Sequence, residues 1–268
     1  MSFTLKIENS RILKGIIETL SSIIDETEFQ VTPSEFTISA MDPSRICLLK
    51  LSIKKENFDE YTCKKESKVG LNLDDLDKIL RRSAANDTIE IDFNEEEQKI
   101  KIKMTREGSS RSRSFSLALL DIEYEEIPMD NLLKIEYSSK WVIEPDLLVE
   151  AIKDAEIYAE ILNIKSAEGQ GLTFSSSGQI GEMNYEIGLD ELIDSDINED
   201  CSAAYSLTFL KAILKIASIT EKLEISLRTD HPLKMFFNLL EGGELFYFLA
   251  PRVEEEEYGE DDEDMDEF

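Results

Sequence analysis

Basic side chains at helical spacing are the most suggestive chemical feature of this sequence. Lys78 and Arg82 are four positions apart, as are Lys211 and Lys215, so each pair lies on one face of a helix. Such cations can neutralise duplex phosphates, which follow each other at about 1.7 Å along the axis, without reading any base. The alternative is an ordinary solvated helix face. The candidate phosphate-facing residues are Arg11, Lys14, Lys78, Arg81, Arg82, Lys153, Lys211 and Lys215.

The chain as a whole is strongly acidic, with 58 acidic and 29 basic residues and a formal net charge of -29. A protein that binds nucleic acid over its whole surface would be basic, so any contact with nucleic acid must be local. Residues 254–268 carry 11 of the acidic side chains. Because this segment offers little apolar area to bury, we expect it to be a disordered acidic tail.

Patterns typical of enzymes and metal sites are absent from the sequence. It contains no phosphate-binding loop, zinc-protease or serine-hydrolase motif. Cys47, Cys63 and Cys201 lack the spacing of metal ligands or of a disulfide framework, and His231 precedes Pro232 as a turn residue would. An enzyme is therefore the weaker hypothesis, and we expect neither a cofactor nor a bound metal. Without a signal peptide or a membrane-length apolar run, we expect an intracellular protein without membrane contact.

The periodicity of apolar residues predicts four amphipathic helices separated by strands. The first helix covers 10–24, with Ser10 as its N-cap. The second runs through Leu73 and Leu80, the third lies around 148–155, and the fourth lies around 207–215. The clearest strand patterns lie at 35–39, 47–53, 88–93 and 99–104.

The second half of the chain repeats the first. A shift of 134 places seven apolar residues of the second helix and its following strand onto apolar residues of the fourth helix and its following strand. Internal duplication explains this better than coincidence. We therefore predict an α+β chain with two similar domains, each with two helices on antiparallel sheet. The predicted ranges are 1–120 for the first domain, 121–134 for an extended connector, 135–253 for the second domain and 254–268 for the tail.

Several segments resemble, in the right order, the motifs of sliding clamps of the proliferating cell nuclear antigen type. The segment 249–255, LAPRVEE, resembles their C-terminal signature, and 41–49, MDPSRICLL, resembles a loop and strand that they share. The segments NFDEY at 57–61, VGLNL at 69–73 and KIL at 78–80 continue the match. The resemblance covers nearly the whole chain.

The resemblance implies a ring of three subunits that encircles duplex DNA, with twelve helices lining the hole and a continuous sheet outside. Such clamps catalyse no reaction; they act as polymerase processivity factors and docking platforms. The implied partners are DNA polymerase, an ATP-dependent clamp loader, a flap nuclease and a ligase. The place of action would be the nucleoid or cytoplasm of a prokaryote or the nucleus of a eukaryote. A subunit of a heterotrimer, or of a checkpoint-type ring, is the alternative to a homotrimer.

Partners of such clamps insert a short motif of aromatic and aliphatic anchors beside the connector. By motif position, the resemblance implies a partner-peptide pocket formed by Met41, Arg45, Ile46, Leu48, Ile127, Pro128, Pro232, Phe248, Ala250, Pro251 and Val253.

Ring closure requires one edge strand from each domain to pair across chains. The first candidate edge is the alternating segment 112–119, and the second follows Ser175. We expect Arg111 and Arg113 to face Glu182 or its neighbours. The candidate interface residues are Arg111, Arg113, Phe115, Leu117, Gly178 and Ile180.

Overall fold

The computed structural model describes residues 2–122, 127, 129–239 and 242–252. In this part of the chain, the first half contains nine strands and two helices. They are β1 (Ser2–Ile7), α1 (Ser10–Ser21), β2 (Glu26–Val31), β3 (Glu35–Met41), β4 (Cys47–Lys54), β5 (Glu60–Cys63), β6 (Ser67–Asn72), α2 (Leu73–Leu80), β7 (Asp87–Asn94), β8 (Lys99–Arg106) and β9 (Ser112–Ala118).

A short helix, α3 (Met129–Leu133), follows, and the second half then repeats the order of the first. Its elements are β10 (Ser139–Ile143), α4 (Pro145–Ala155), β11 (Ile161–Ala167), β12 (Gly171–Gly178), β13 (Gly181–Ile187), β14 (Asp194–Ile197), β15 (Cys201–Ser206), α5 (Leu207–Ala212), α6 (Leu214–Ala217), β16 (Thr220–Leu227), β17 (Leu233–Leu239) and β18 (Gly243–Leu249). The two halves therefore have the same architecture, with α5 and α6 together standing in the place of α2.

Local sequence explains where the helices begin and end. The side chain of Asn72 accepts a hydrogen bond from the Asp75 amide and caps α2, and Pro145 occupies the first turn of α4, where its missing N–H is harmless. The predicted cap of α1 is wrong: Asn9 caps the helix, and Ser10 instead donates its hydroxyl to the carbonyl of Ala84. The predicted fourth helix is interrupted at Ile213, between α5 and α6.

Three antiparallel sheets contain all the strands of the described residues. The orders are β5-β1-β7-β8-β9, β13-β12-β11-β15, and the nine-stranded β14-β10-β16-β17-β18-β4-β3-β2-β6. The nine-stranded sheet joins the two halves, because β18 pairs with β4 over its whole length, from Gly243 opposite Ile53 to Leu249 opposite Cys47. One backbone ladder thus makes the halves continuous.

Helices α1, α2, α4, α5 and α6 pack together in one layer, the helix layer, over these sheets. Helix α1 contacts α2 on one side and α6 on the other, and α5 and α6 both contact α4. The close approach of α1 to the second half is possible because Gly15 has no side chain: a Cβ there would lie 3.1 Å from Cδ1 of Ile219. Ile16, Ile17 and Leu20 of α1 are buried beneath this layer. None of the helices in the described ranges is long and apolar enough to cross a bilayer.

The connector differs from the expectation of a wholly extended segment. Its later part folds into α3, whose Met129 is buried against Leu48 and Phe248. Its start is held to the sheet, because Leu120 donates its amide to the carbonyl of Gly70 over 2.9 Å. The absence of a side chain at Gly70 permits this contact, since a Cβ would lie 2.4 Å from the Leu120 oxygen. Residues 123–126 and Pro128 lie outside the described residues.

Candidate nucleic-acid interface and partner surfaces

The helix layer brings the predicted phosphate-facing cations onto one exposed surface. Six of the eight are exposed, and Lys14 and Lys211 are half-buried. The set spans both halves of the chain: Arg11, Lys14, Lys78, Arg81 and Arg82 come from α1, α2 and the turn after α2, whereas Lys153, Lys211 and Lys215 come from α4, α5 and α6.

Carboxylates engage half of these cations. Lys78 Nζ lies 2.9 Å from Oδ1 of Asp75, and Arg81 Nε lies 2.7 Å from Oδ2 of Asp77. Lys211 pairs with Glu156. Lys215 Nζ lies 3.4 Å from Oε1 of Glu18, the same oxygen that lies 3.6 Å from Arg81 Nη2. Within the described residues, Lys14, Arg82 and Lys153 form no ion pair, and Arg11 donates to the carbonyl of Ser218.

Among the described residues of this surface, Asp77 is the one buried carboxylate, and only 6% of it is exposed. Burial raises its pKa, the Arg81 guanidinium opposes that shift, and the negative charge of Glu18 adds to it. Its Oδ1 has no hydrogen-bond partner among the described atoms. The surface therefore holds a carboxyl group in a poorly solvated place beside its cations.

The second predicted site, the partner-peptide pocket, forms around the junction of β4 and β18. Leu48 and Phe248 are buried there beneath Met129 of α3, with Met41 and Ile127 partly buried at the edge of the same cluster. Met41 and Ile127 also line a cavity of about 290 Å³ between the connector and the outer face of β2 to β4. The structure therefore brings these four predicted residues together. Two of them, Leu48 and Phe248, are covered by Met129.

The loop 42–46 forms the rim of this site and is fixed by one carboxylate. Asp42 is buried and accepts hydrogen bonds from the amides of Ser44 at 2.9 Å, Ile46 at 2.7 Å and Cys47 at 2.5 Å. Arg45 adopts a left-handed backbone with φ of 58°, which turns the loop. Ile46 is left 38% exposed. The loop therefore presents an apolar and a basic side chain to solvent from a fixed backbone.

The remaining predicted pocket residues lie on the C-terminal side of this rim or outside the described structure. Ala250 donates its amide to the Ile46 carbonyl, and Pro251 follows it half-buried. The carbonyl of Pro232 accepts a hydrogen bond from the Tyr137 hydroxyl at 3.0 Å. Pro128 and Val253 lie outside the described residues, as does the tail 254–268.

The predicted subunit interface falls on the free edges of two sheets. β9, with Arg111 just before it, is the last strand of the five-stranded sheet, and β13 is the last strand of the four-stranded sheet. Phe115 and Leu117 are half-buried on β9. Neither Gly178 nor Ile180 lies within the edge strand: Gly178 is the last residue of β12, and Ile180 lies in the turn before β13. Gly178 is needed because a Cβ would lie 1.9 Å from the Tyr158 oxygen.

Sequence reasoning missed three residues near these surfaces, namely Ile157, Tyr158 and Met129. Ile157, just after α4, is 61% exposed, and Tyr158 beside it contacts Gly178 and Gly181 of the turn that carries the 74% exposed Ile180. Met129 lies in a segment without periodicity. Its position next to the predicted pocket residue Pro128 was the only available signal.

Comparison with known proteins identifies the fold and family. The sequence model of the proliferating cell nuclear antigen N-terminal domain matches residues 2–127, and that of the C-terminal domain matches 134–252. The chain is 31% identical over 257 residues to a DNA polymerase sliding clamp of Pyrococcus abyssi, covering 95% of this chain and 100% of the relative. It is 32% identical over 249 residues to one of Thermofilum pendens, covering 92% and 97%.

A solved structure agrees with these sequence matches. In the crystal structure of the PCNA2–PCNA3 complex from Sulfolobus tokodaii, one chain superposes with a TM-score of 0.84 at 26% identity, covering 94% of this chain and 100% of that one. Both family domains, the full-length relatives and the fold therefore agree: the chain belongs to the proliferating cell nuclear antigen family of sliding clamps, which are scaffolds and not enzymes.

Proposed function

We propose that this chain is one of three identical subunits of a ring that encircles duplex DNA, acts as a polymerase processivity factor, and carries replication and repair proteins along it. The relatives from Pyrococcus abyssi and Thermofilum pendens are DNA polymerase sliding clamps. The domains would be 1–120 and 135–253, joined by 121–134. The ring would act inside the cell, wherever the genome is replicated.

The main support for the proposal is a strand junction between the two halves. The chain forms this junction once, although it contains the strands for two. Within the chain, the last strand of the second half, β18, pairs with β4 of the first half. The equivalent strands of the opposite halves are β9 and β13, and both are unpaired sheet edges. A second copy of the chain can complete this missing junction by placing its β13 against β9. Because each copy then leaves the same two edges to be filled, the association is head-to-tail, and it forms a ring when the rotation between successive copies closes.

The internal junction also supplies a register for the junction between subunits. Phe115 takes the place in β9 that Tyr247 takes in β18, since they pair with the equivalent residues Ile102 and Met235. By the same comparison of neighbouring strands, Met183 of β13 stands in the place of Leu49 in β4. Tyr247 pairs with Leu49. Phe115 would therefore face Met183 of the next subunit, an apolar contact between two half-buried side chains.

This register changes the expected charge contacts. Arg113 would lie opposite Tyr185, and Glu182 opposite Ser116 on the other face of the sheet, so the predicted pairing of Arg113 with Glu182 is not a direct one. The Tyr185 hydroxyl already contacts Glu150 at 3.3 Å. Arg113, which binds Asp87 at 2.9 Å within its own chain, would thus approach Glu150 of the neighbouring copy.

Closure of the ring would turn the helix layer toward the hole. The exposed cations of that layer would then meet duplex phosphates while the sheets face outward. The acidic remainder of the chain would discourage DNA from the outer surface. Binding of this kind is sequence-independent and weakens as salt rises.

Partners would dock beside the connector. Polymerase, clamp loader, flap nuclease and ligase would each place short aromatic and aliphatic anchors against Met41, Ile46, Ile127, Pro232 and Pro251. Leu48 and Phe248 would form the floor beneath Met129 unless the bound peptide displaces that side chain.

Light scattering of the purified chain tests the proposed assembly. A homotrimer predicts about three times the chain mass of 30.6 kDa. A mass that stays at that of one chain, and rises only when related chains are added, would assign the protein to a heterotrimer. A mass that never reaches three subunits with any related chain would remove the ring.

A further inference from the structure

A polar cleft of about 370 Å³ lies on the helix surface between α1, α2 and the α5–α6 pair. Hydroxyl groups of Ser21, Ser22 and Thr208 line it together with charged side chains of both signs. The charged groups number three carboxylates and three cations, so their formal charges cancel. They are Glu18, Asp74, Asp77, Arg81, Lys211 and Lys215.

Glu18 is the only one of these carboxylates that joins cations from the two halves of the chain in the described structure. Its Oε1 lies 3.6 Å from Arg81 Nη2, which follows α2, and 3.4 Å from Lys215 Nζ on α6. The Glu18 side chain is 24% exposed, whereas those of Arg81 and Lys215 are 57% and 60% exposed. The Glu18 carboxylate is therefore less accessible to solvent than the two cations that it binds. Arg81 and Lys215 remain accessible to a further partner.

We propose that Glu18 is a positioning residue of the DNA channel, which holds Arg81 and Lys215 at the seam between the two halves and competes with DNA phosphates for them. This inference rests on the proposed function, because it requires the helix layer to face a duplex. It goes beyond that function in assigning to an acidic residue the control of how tightly the channel holds DNA.

The physical reason is that a cation bound to Glu18 must exchange this carboxylate for a DNA phosphate. A phosphate that approaches Lys215 must share it with Glu18 or displace it, and so gains less than it would from a free lysine. A carboxylate that loses its partner also attracts a counterion from solution, which offsets part of the counterion release that drives binding to DNA. Glu18 is thus expected to lower both the affinity for DNA and its dependence on salt. Weak contacts suit a ring that remains attached by topology.

The test is the affinity of the full-length protein for a short duplex, measured by fluorescence anisotropy over a series of KCl concentrations. Glu18→Gln removes the charge and keeps the shape, so it should bind about two- to tenfold more tightly at low salt. The slope of log K against log[KCl] should become steeper by up to about one unit. Thermal unfolding and light scattering confirm that the variant keeps its fold and assembly.

Glu224→Gln is the matched control. Glu224 is exposed on β16 between Leu223 and Ile225, whose buried side chains face the core, so Glu224 projects from the opposite side of the sheet. Like Glu18, Glu224 lies near a lysine. Burial lowers the pKa of Lys234, and the negative charge of Glu224 opposes this shift. The two substitutions change the net charge equally. Affinity within about twofold of the starting protein is expected for Glu224→Gln.

A double-mutant cycle separates competition for phosphate from a merely structural effect. In a background with Arg81→Ala and Lys215→Ala, Glu18→Gln should lose most of its effect on affinity and slope. The proposal is overturned if Glu18→Gln binds no more tightly than Glu224→Gln, or if its gain persists in that background. If the unsubstituted protein does not bind the duplex at any KCl concentration of the series, the proposed function fails as well. Weaker binding by Lys215→Ala without a gain in Glu18→Gln overturns the role of Glu18 alone.

Discussion

The amide of Ala250 donates a hydrogen bond to the carbonyl of Ile46 over 2.8 Å, directly beyond the last pair of the β18–β4 ladder, Leu249 opposite Cys47. The end of the second half is thereby attached to the loop 42–46 of the first. A peptide that docks beside the connector, as proposed, would contact a rim whose two sides are fixed to each other. The rigidity of that rim depends on Asp42, which orders the loop from within.

Replacing Asp42 by Ala should therefore destabilise the protein and weaken peptide binding together. Three backbone amides lose their acceptor, so we expect a loss of about 2–4 kcal/mol in the free energy of unfolding. Urea unfolding measures this loss, and calorimetry with an anchor peptide measures the affinity. Asp59→Ala is the control, because Asp59 accepts one amide, that of Glu8, away from the rim. A normal peptide affinity in the Asp42 variant would show that the loop does not form the rim.

Asp77 gives a prediction for pH dependence. Burial raises its pKa above the ordinary 3.8, so the folded state holds this proton more tightly than the unfolded state does. The ionised form therefore lowers stability above the raised pKa, and this penalty disappears as pH falls to below 3.8. Asp77→Asn removes the charge, and its stability relative to the starting protein should be greater at pH 7 than near pH 4.

Urea unfolding at both pH values measures this difference, with the exposed neighbour Asp74→Asn as control. If Asp77→Asn is less stable relative to the starting protein at pH 7 than it is near pH 4, the ion pair with Arg81 outweighs burial. That outcome would contradict a raised pKa for Asp77 in the folded protein.

The proposed register between subunits predicts different effects for two adjacent residues. Met183→Asp would place a charge against Phe115 and should weaken self-association more than tenfold, because an apolar interface cannot solvate it. Asn184→Asp adds the same charge on the opposite face of the strand, opposite Ser114, and should change association by less than about threefold. Sedimentation over a dilution series measures both. A larger effect at Asn184 would mean that the strands pair one residue out of register.

Much of this fold was predictable because both halves use strong periodic patterns. The apolar spacing located α1, α2 and α4, and the shift of 134 anticipated that β7 and β16 are equivalent. Features that depend on long-range contacts were not predictable. Ser10 was assigned as a cap from its type, but its hydroxyl is used by Ala84, which leaves the cap to Asn9.

The candidate sites also combine features that periodicity predicts with features that depend on long-range contacts. Exposed cations follow directly from helical spacing, whereas ion pairs between different elements do not: Glu18 lies on α1, and its partners lie on α6 and after α2. Met129 covers Leu48 because α3 forms in a segment with no apolar period. The edge at β13 was placed a few residues too early, since the position of the turn after Gly178 depends on the close approach of the Tyr158 backbone to Gly178.

Retention on closed DNA tests the central claim most directly. The protein is assembled on a circular duplex with the clamp loader of the same organism and ATP, freed of loader, and followed by gel filtration before and after the circle is cut once. A ring that encircles DNA should elute with the intact circle and leave it after linearisation, since its weak contacts with phosphates cannot keep it on DNA with free ends. Equal retention on the intact circle and on the cut DNA would contradict encirclement.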